Sequence, residues 1–305
     1  MFEQWKAIVN PVSGFGKARK QWPLIEQELK RQGVAFDAVM TTADARADVL
    51  LQAALQEGYR KIISVGGDGN FHDVVNGLMK QQEVSTTDVT IAVISLGTGN
   101  DWIKSSGVPK KVKDAVALIA KGNTMVQNAG KAVTTMNGQR TVTYFHSFAG
   151  VGFDAYVVAR TDRFKAYGQM AYLLGMVRCL FSYQKPVLRI TVDGKHMETS
   201  CYLALSGIGK YGGGGMKLMP GAQLDGGHLF VAVAKDFSRT EVFRNILKLY
   251  DGSYTDLEKV DTFLAKEVRI ETVSGGPVYM ESDGDLLGGG PFELSLIEKA
   301  IRVVV

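Results

Sequence analysis

The chain is poor in cysteine, with only Cys179 and Cys201 among its 305 residues. Because the sequence has no Cys/His spacing of the kind that metal sites use, we expect two buried, reduced thiols in a cytoplasmic protein and no disulfide. Long hydrophobic runs are also missing. The longest one, at residues 170–181, contains Gly175 and Arg178, and as a helix it covers roughly 18 Å of a bilayer core of about 30 Å. We therefore expect no membrane-spanning segment.

The net charge is also small, since 35 Lys and Arg residues are nearly balanced by 31 Asp and Glu residues. No dense basic stripe interleaved with aromatic residues is present, which argues against a nucleic-acid partner. The formal charge of +4 suits an anionic ligand such as ATP, or an acidic membrane surface. A chain of 305 residues with 46% hydrophobic content is typical of a globular protein with two domains.

Residues 1–127 alternate short apolar strands with amphipathic helices. The pattern predicts strands ending at residue 10 and spanning 34–40, 61–65 and 89–95, with helices over 17–32, 43–57 and 111–121. This alternation indicates an α/β domain with a mostly parallel sheet that helices cover on both faces.

Residues 128–297 have a different rhythm, with one long helical region over 154–183 and many short strands. Strands are expected over 141–151, 187–192, 198–206, 229–235, 267–273, 278–282 and 292–297. The Asp193-Gly194 pair is a hairpin signal, and the regular spacing with Gly-rich turns predicts an antiparallel β-sandwich or barrel. Whether the last strand, at 298–305, returns to complete the first domain is left open.

Three glycine-containing turns follow strands of the first domain: GGDGN at residues 66–70, GTGND at 97–101 and NPVSGFGK at 10–17. Glycines let backbone N–H groups approach a phosphate, and a following helix offers its positive end to an anion. Ligands of parallel sheets lie at the carboxyl ends of the strands, so the three turns are expected to face one nucleotide. Each turn alone is often just a tight turn, but together they predict a nucleotide-phosphate site.

The candidate nucleotide-binding residues are the polar and glycine positions of these turns, together with two threonines that end the second strand. They are Asn10, Ser13, Lys17, Thr41, Thr42, Gly66, Gly67, Gly69, Asn70, Gly97, Thr98 and Asn100. Taken singly, Lys17 is more typical of a solvated helix face. Two familiar motifs are dismissed: residues 14–18 lack the spacing and hydroxyl of a Walker A loop, and the G-x-G-x-x-A match at 150–155 is not followed by a βαβ unit.

The ordered set of motifs resembles the diacylglycerol kinase catalytic-domain family, with soluble bacterial lipid kinases and sphingosine kinases as relatives. The matching segments cover nearly the whole chain: NPVSG at 10–14, GGDG at 66–69, VNG at 75–77, GTGND at 97–101, GVGFD at 150–154, residues 212–220, and DGD at 283–285. The resemblance implies a nucleotide domain like that of NAD kinases, a C-terminal β-sandwich domain, and an active site in the cleft between them.

The resemblance also implies ATP as phosphoryl donor and Mg²⁺ as cofactor, with Asp68 and Asp101 as the acids nearest the metal. Asp285 stands where bacterial members have the Glu of Asp-Gly-Glu as proton acceptor, and Asp68 is the competing candidate for the general base. Asn128 replaces a common Asp. Asp225 lies in a loop where such kinases hold a structural Mg²⁺, but one expected acid is missing there.

The expected substrate is a lipid alcohol such as diacylglycerol, with a sphingoid base as the nearest variant. The run at 170–181, with Tyr167, Tyr172 and the nearby cations Arg160, Arg163 and Lys165, is either a buried core helix or an apolar entrance that touches the membrane. An NAD kinase-like enzyme and a non-catalytic nucleotide or lipid sensor are the alternatives. A homodimer is one option for assembly.

Overall fold

The computed structural model describes residues 4–136, 138–165, 178–276 and 278–305. The chain forms two compact units: Met1–Ala129 with Ile297–Val305 is unit 1, and Gly130–Leu296 is unit 2. The boundary inferred from the sequence, between residues 127 and 128, lies two residues before the boundary in the structure. Within the described ranges, no helix combines the length and apolar character needed to cross a bilayer.

Unit 1 is built on a parallel sheet with the strand order β2–β1–β3–β4–β14. Its strands are β1 (Trp5–Val9), β2 (Phe36–Met40), β3 (Lys61–Gly66), β4 (Thr90–Ser95) and the end of a long last strand, β14 (Asp285–Val304). Arg302 and Val303 pair in parallel with Thr90 and Ile91. The C-terminal strand therefore returns to this sheet.

The helices of unit 1 alternate with these strands, as the sequence pattern predicts. They are α1 (Ser13–Arg31), α2 (Ala47–Gln56), α3 (Asp68–Lys80), α4 (Asp101–Ser106) and α5 (Val112–Lys121). Ile25 of α1 and Val116 of α5 belong to a buried cluster with Ile63 and Ile94 of the central strands. Strands packed in this way are buried on both faces, which explains their continuous apolar sequence.

Unit 2 is antiparallel, as the turn spacing predicts. Its strands are β5 (Thr124–Met136, shared with unit 1), β6 (Gln139–Phe145), β7 (Phe148–Gly152), β8 (Val187–Val192), β9 (Lys195–Gly207), β10 (Leu229–Lys235), β11 (Val260–Ala265), β12 (Glu267–Ser274), β13 (Tyr279–Ser282) and the first part of β14. The pairings β9–β7–β13–β14–β12–β8–β9 close a circuit, so the sheet curls into a barrel-like sandwich. The expected fold class is confirmed.

In the described part of unit 2, the helices are α6 (Phe153–Lys165), a helical stretch at residues 178–182, α7 (Arg239–Asn245) and α8 (Lys248–Asp251). Most of the apolar run at 170–181, with Tyr167, Tyr172 and the side chains of Arg163 and Lys165, lies outside the described residues. Cys179 and Cys201 are both free and buried.

Several boundaries differ from the sequence-based expectation. The strand expected over 141–151 is two strands, because the carboxylate of Asp283 accepts hydrogen bonds from the consecutive N–H groups of His146, Ser147 and Phe148. The last two expected strands are one, β14, which bends through Lys299 at φ 49°. The elements β5, β11, α7 and α8 were not predicted from the sequence. The Asp193-Gly194 hairpin has the positive φ angles, 44° and 84°, that its turn type requires.

Candidate active site

The glycine turns after β3 and β4 touch each other through their backbones. A Cβ on Gly97 would lie 2.6 Å from the Cα of Gly67, a separation that real Cβ atoms do not show. Gly14, in the turn after β1, is equally close to this group, since its Cβ would lie 2.2 Å from the carbonyl oxygen of Leu96. The three turns that the sequence analysis singled out therefore converge at one edge of the unit 1 sheet.

Asp68 joins two of these turns. It is the first residue of α3, and its carboxylate accepts hydrogen bonds from the backbone N–H groups of Asp101 at 3.1 Å and Trp102 at 3.4 Å. Both donors belong to the first turn of α4, where N–H groups lack intrahelical acceptors. Asp68 thus caps one helix from the start of another, which fixes the position of the acid at the site.

Asn70 and Asn100 shape the turns with buried side chains. Asn70 donates from Nδ2 to Ser64 Oγ at 2.9 Å, and its backbone N–H donates to the carbonyl of Gly67. Asn100 adopts the left-handed conformation at φ 52° and donates from Nδ2 to the carbonyl of Gly97 at 2.8 Å. The structure thus places both side chains in contacts with the protein itself, so their part in nucleotide binding stays a prediction.

The turn after β1 is tied to the turn after β3 by Ser13, whose Oγ accepts a hydrogen bond from the N–H of Gly67 at 3.3 Å. Asn10 Oδ1 accepts from the N–H of Val12 at 3.2 Å. Residues 14–16 all have positive φ, so the right-handed part of α1 begins at Lys17, which is exposed. A cationic side chain therefore stands at the first regular turn of this helix.

The threonines and the remaining glycine differ in their surroundings. Thr42 Oγ1 accepts from the N–H of Ala45 at 3.1 Å and so closes the turn before α2, whereas Thr41 is half-buried at the end of β2. Gly69 and Thr98 are exposed. Gly69 lies in the first turn of α3, where its N–H has no intrahelical acceptor and remains available to an anion.

The acids near these turns, Asp68 and Asp101, are of the chemical kind that can hold a magnesium ion. Asp101 is buried and makes an ion pair with Lys104, with 2.8 Å between Oδ1 and Nζ. In the described part of the chain, neither Asp68 nor Asp101 belongs to a group of three metal-ligating side chains. Magnesium is commonly held by one or two carboxylates together with substrate phosphates, and these two acids suit that arrangement. Asp225 is exposed and likewise belongs to no such group among the described residues.

The two acids of the DGD segment in unit 2 have different surroundings. Asp283 has a buried side chain whose oxygens accept from three backbone N–H groups at 2.8–3.1 Å, and its Oδ2 lies 3.5 Å from His146 Nε2. Asp285 is exposed at the start of β14. The Asp283 carboxylate thus holds backbone in place, whereas the side chain of Asp285 is accessible to solvent.

Two acids of unit 2 that had no predicted role, Asp154 and Glu281, have buried carboxylate oxygens. Within the described residues, neither oxygen of Asp154 nor Oε1 of Glu281 has a hydrogen-bond partner of regular geometry. Burial raises the pKa of Asp154 to about 7. Burial, reinforced by the charge of Asp154, raises the pKa of Glu281 well above its usual value.

Glu281 is connected to the DGD turn, because its Oε2 accepts a hydrogen bond from the N–H of Gly284 at 2.7 Å. Gly150, paired with Glu281 across β7 and β13, makes room for the other acid: its Cβ would lie 1.6 Å from Asp154 Oδ2. The first glycine of the G-x-G-x-x-A match at 150–155 therefore leaves the space that the Asp154 carboxylate occupies. The sequence signals nearest to these two acids are the GVGFD segment, which Asp154 ends, and the DGD segment, which begins two residues after Glu281.

Comparison with known proteins agrees with this geometry. Residues 4–132 match the diacylglycerol kinase catalytic domain, and residues 147–305 match the YegS C-terminal NAD kinase beta sandwich-like domain. A diacylglycerol kinase of Mycobacterium tuberculosis is 31% identical over 301 residues, covering 98% of this chain and 94% of that protein. A diacylglycerol kinase of Staphylococcus carnosus is 27% identical and covers 99% and 95%.

Two solved structures share the fold. A diacylglycerol kinase from Bacillus anthracis superposes with a TM-score of 0.73 at 24% identity, covering 99% of this chain and 97% of that one. Yeast NADH kinase superposes with a TM-score of 0.54 at 12% identity, covering 99% and 83%. Because both domain matches follow each other in order and the mycobacterial relative aligns from end to end, the chain belongs to the family of bacterial diacylglycerol and lipid kinases that join a diacylglycerol kinase catalytic domain to this β-sandwich domain.

Proposed function

We propose that the protein transfers the terminal phosphoryl group of ATP to the primary hydroxyl of diacylglycerol or a closely related lipid alcohol, in the cytoplasm at a membrane surface. Membership of the lipid kinase family supports the reaction class. The printed names of the mycobacterial and staphylococcal relatives favour diacylglycerol as acceptor. The aligned relatives are 24–31% identical, and a panel of acceptors tests the substrate directly.

Nucleotide binding is supported by one observation above all, the backbone contact between Gly67 and Gly97. Asp68 joins the same two turns through its hydrogen bond from the N–H of Asp101. Phosphoryl transfer needs little covalent chemistry from a protein, so positioning and charge neutralisation dominate catalysis. Converging glycine turns, first-turn N–H groups and flanking cations supply such an environment.

Each part of this edge then has a role. First-turn N–H groups of α3, the hydroxyl of Thr98 and the ammonium group of Lys17 would bind phosphate oxygens. Asp68 and Asp101 would hold Mg²⁺, which when bound neutralises charge on the transferring phosphates.

Asp285 is our choice for the general base. Both oxygens of Asp68 already accept backbone hydrogen bonds that position α4, whereas the carboxylate of Asp285 is exposed. Its carboxylate would take the proton of the attacking hydroxyl as the new O–P bond forms and the bond between the γ-phosphorus and ADP breaks.

The test is incubation of the purified protein with labelled ATP, Mg²⁺ and a panel of acceptors in mixed micelles: diacylglycerol, monoacylglycerol, sphingosine and NAD. We expect label in phosphatidic acid, and we expect Asp68→Asn to abolish turnover. Asp114→Asn is the matched control, because Asp114 is also an acid in a first helical turn, that of α5. Label transferred mainly to NAD or sphingosine would replace the proposed acceptor, and tight ATP binding without any product would indicate a sensor.

A further inference from the structure

The segment from Arg239 to Asp251 carries an apolar face that points to solvent. Phe243 is 73% exposed, Leu247 77% and Tyr250 61%, and Ile246 is exposed between them. Ile246 and Leu247 keep right-handed helical angles, so α7 and α8 continue one another in direction. The four residues follow the i, i+3, i+4, i+7 spacing of a single helix face. We call them the 243–250 face.

The opposite side of the same segment is anchored to unit 2. Val242 and Leu249, seven residues apart, pack against the hydrophobic cluster that contains Phe230 and Tyr254. A capping box between Ser238 and Glu241 fixes the start of α7, and Glu241 makes an ion pair with Lys259 at 2.7 Å. These contacts hold the segment against unit 2 by its buried side. The 243–250 face therefore remains exposed to solvent.

Positive charge surrounds this face. Arg239, Arg244 and Lys248 are in no salt bridge within the described ranges of the chain. Of the acids of the segment, Glu241 pairs with Lys259, whereas the Asp251 carboxylate is hydrogen-bonded to Ser253 and lies near Lys248; both contacts lower the pKa of Asp251, and that of Ser253 does so more strongly. Arg239 and Arg244 are therefore the cations of the segment that have no acidic partner among the described residues, and a solvent-facing apolar stripe beside two such cations complements an anionic lipid surface.

We propose that the 243–250 face docks the protein on an anionic lipid bilayer, with Phe243, Leu247 and Tyr250 in the boundary between head groups and acyl chains. The flanking cations then lie at the level of the lipid phosphates. This docking site rests on the proposed function, since a lipid acceptor resides in a bilayer. A second copy of the chain fits the face less well, because a two-fold contact would bring the cations of both copies together.

The first experiment measures binding to vesicles without ATP, so that it does not depend on kinase activity. Vesicles of phosphatidylcholine alone are compared with vesicles that also contain phosphatidylglycerol, by co-sedimentation. We expect preference for the anionic vesicles, and a partition coefficient lowered by at least about tenfold in Phe243→Ser/Leu247→Ser, because two side chains lose their burial. Arg239→Gln/Arg244→Gln should remove most of the preference for anionic lipid.

The matched control is Leu264→Ser, which removes a side chain of similar exposure, 61%, from β11 of the same unit. We expect this variant to bind vesicles like the unchanged protein, and thermal melts verify that all variants are folded. Equal loss of binding in the control, or no vesicle binding by the unchanged protein, would overturn the docking site.

The second experiment locates the contact. Phe243→Trp adds a tryptophan to a chain whose own three, Trp5, Trp22 and Trp102, are all buried. Quenching of the added fluorescence by brominated acyl chains is expected. Binding without quenching would mean that another surface docks, and a concentration-dependent dimer abolished by Phe243→Ser/Leu247→Ser would assign the face to a second copy. Turnover of a water-soluble short-chain acceptor tests the proposed function separately from docking.

Discussion

Gly67 and Gly97 are in backbone contact, so closely that a Cβ on Gly97 would lie 2.6 Å from the Cα of its partner. The two residues are 30 positions apart in the sequence and end neighbouring parallel strands. The contact brings together two turns that would otherwise be ordinary strand-to-helix connections. Because of this contact, the addition of a single methyl group at Gly97 would disturb the site.

We expect Gly97→Ala to impair both stability and nucleotide binding. The added Cβ meets backbone, which cannot move aside as a flexible side chain would, so the turns must separate. Overpacking of this kind costs about 1–3 kcal/mol of unfolding free energy. We expect at least a tenfold rise in the dissociation constant for ATP, measured by calorimetry.

Gly276→Ala serves as the control, because the space around a Cβ at this position is open. It should leave ATP binding unchanged. Tight ATP binding by Gly97→Ala would show that the contact between the turns has no part in holding the nucleotide.

Substitutions at the two acids of the DGD segment should differ in their effects, one on stability and the other on turnover. Asp283→Ala leaves three backbone N–H groups without their acceptor, which we expect to lower the free energy of unfolding by roughly 2–4 kcal/mol in urea denaturation. Asp285→Asn should leave stability unchanged and reduce kcat by about 10²–10⁴ with ATP affinity retained. Normal turnover in Asp285→Asn would transfer the role of base to another group, with Asp68 the first to test.

Because of Asp154, we expect the stability of the folded protein to decline as the pH rises. Its pKa is raised by burial to about 7 in the folded protein, against 3.8 as its ordinary value. Between these two values the folded state holds a proton that the unfolded chain releases, so the contribution of this group to stability falls from about pH 4 to about pH 7 and is level above that.

The measurement is the melting temperature of Asp154→Asn and of the unchanged protein across this range. Asparagine cannot ionise, so we expect the variant to gain roughly 2–4 °C relative to the unchanged protein between pH 5 and pH 8. Parallel pH curves for the two proteins would show that Asp154 does not titrate in this window.

Substitutions at Gly150 and Asp154 should have strongly non-additive effects on the free energy of unfolding. Gly150→Ala places a Cβ on the Asp154 carboxylate, 1.6 Å from Oδ2, and also 2.7 Å from Leu205 Cδ2. We expect it to destabilise the protein by roughly 2–4 kcal/mol. In Gly150→Ala/Asp154→Ala the main clash is gone, so a double-mutant cycle should return a coupling of about 1–3 kcal/mol. Additive losses would mean that Leu205, and not the acid, sets the cost.

The alternation of strands and helices in the first 127 residues was sufficient to predict a parallel α/β domain, because helix and strand periodicities are local properties of the chain. The same holds for the Asp193-Gly194 hairpin, whose turn type is set by two adjacent residues. The motifs at residues 10–17, 66–70 and 97–101 pointed to one edge of the sheet for a similar reason: parallel strands end together.

Tertiary structure decided what these side chains do. The cap that Asp68 provides for α4 and the three hydrogen bonds to Asp283 join residues that are close only in the folded chain, 33 and 135–137 positions apart in the sequence. The return of β14 to β4 and the burial of Asp154 beside Gly150 depend on long-range pairing in the same way. Local sequence sets the periodicity of each element, whereas contacts between distant residues determine which polar groups are satisfied, which are buried, and which remain available for chemistry.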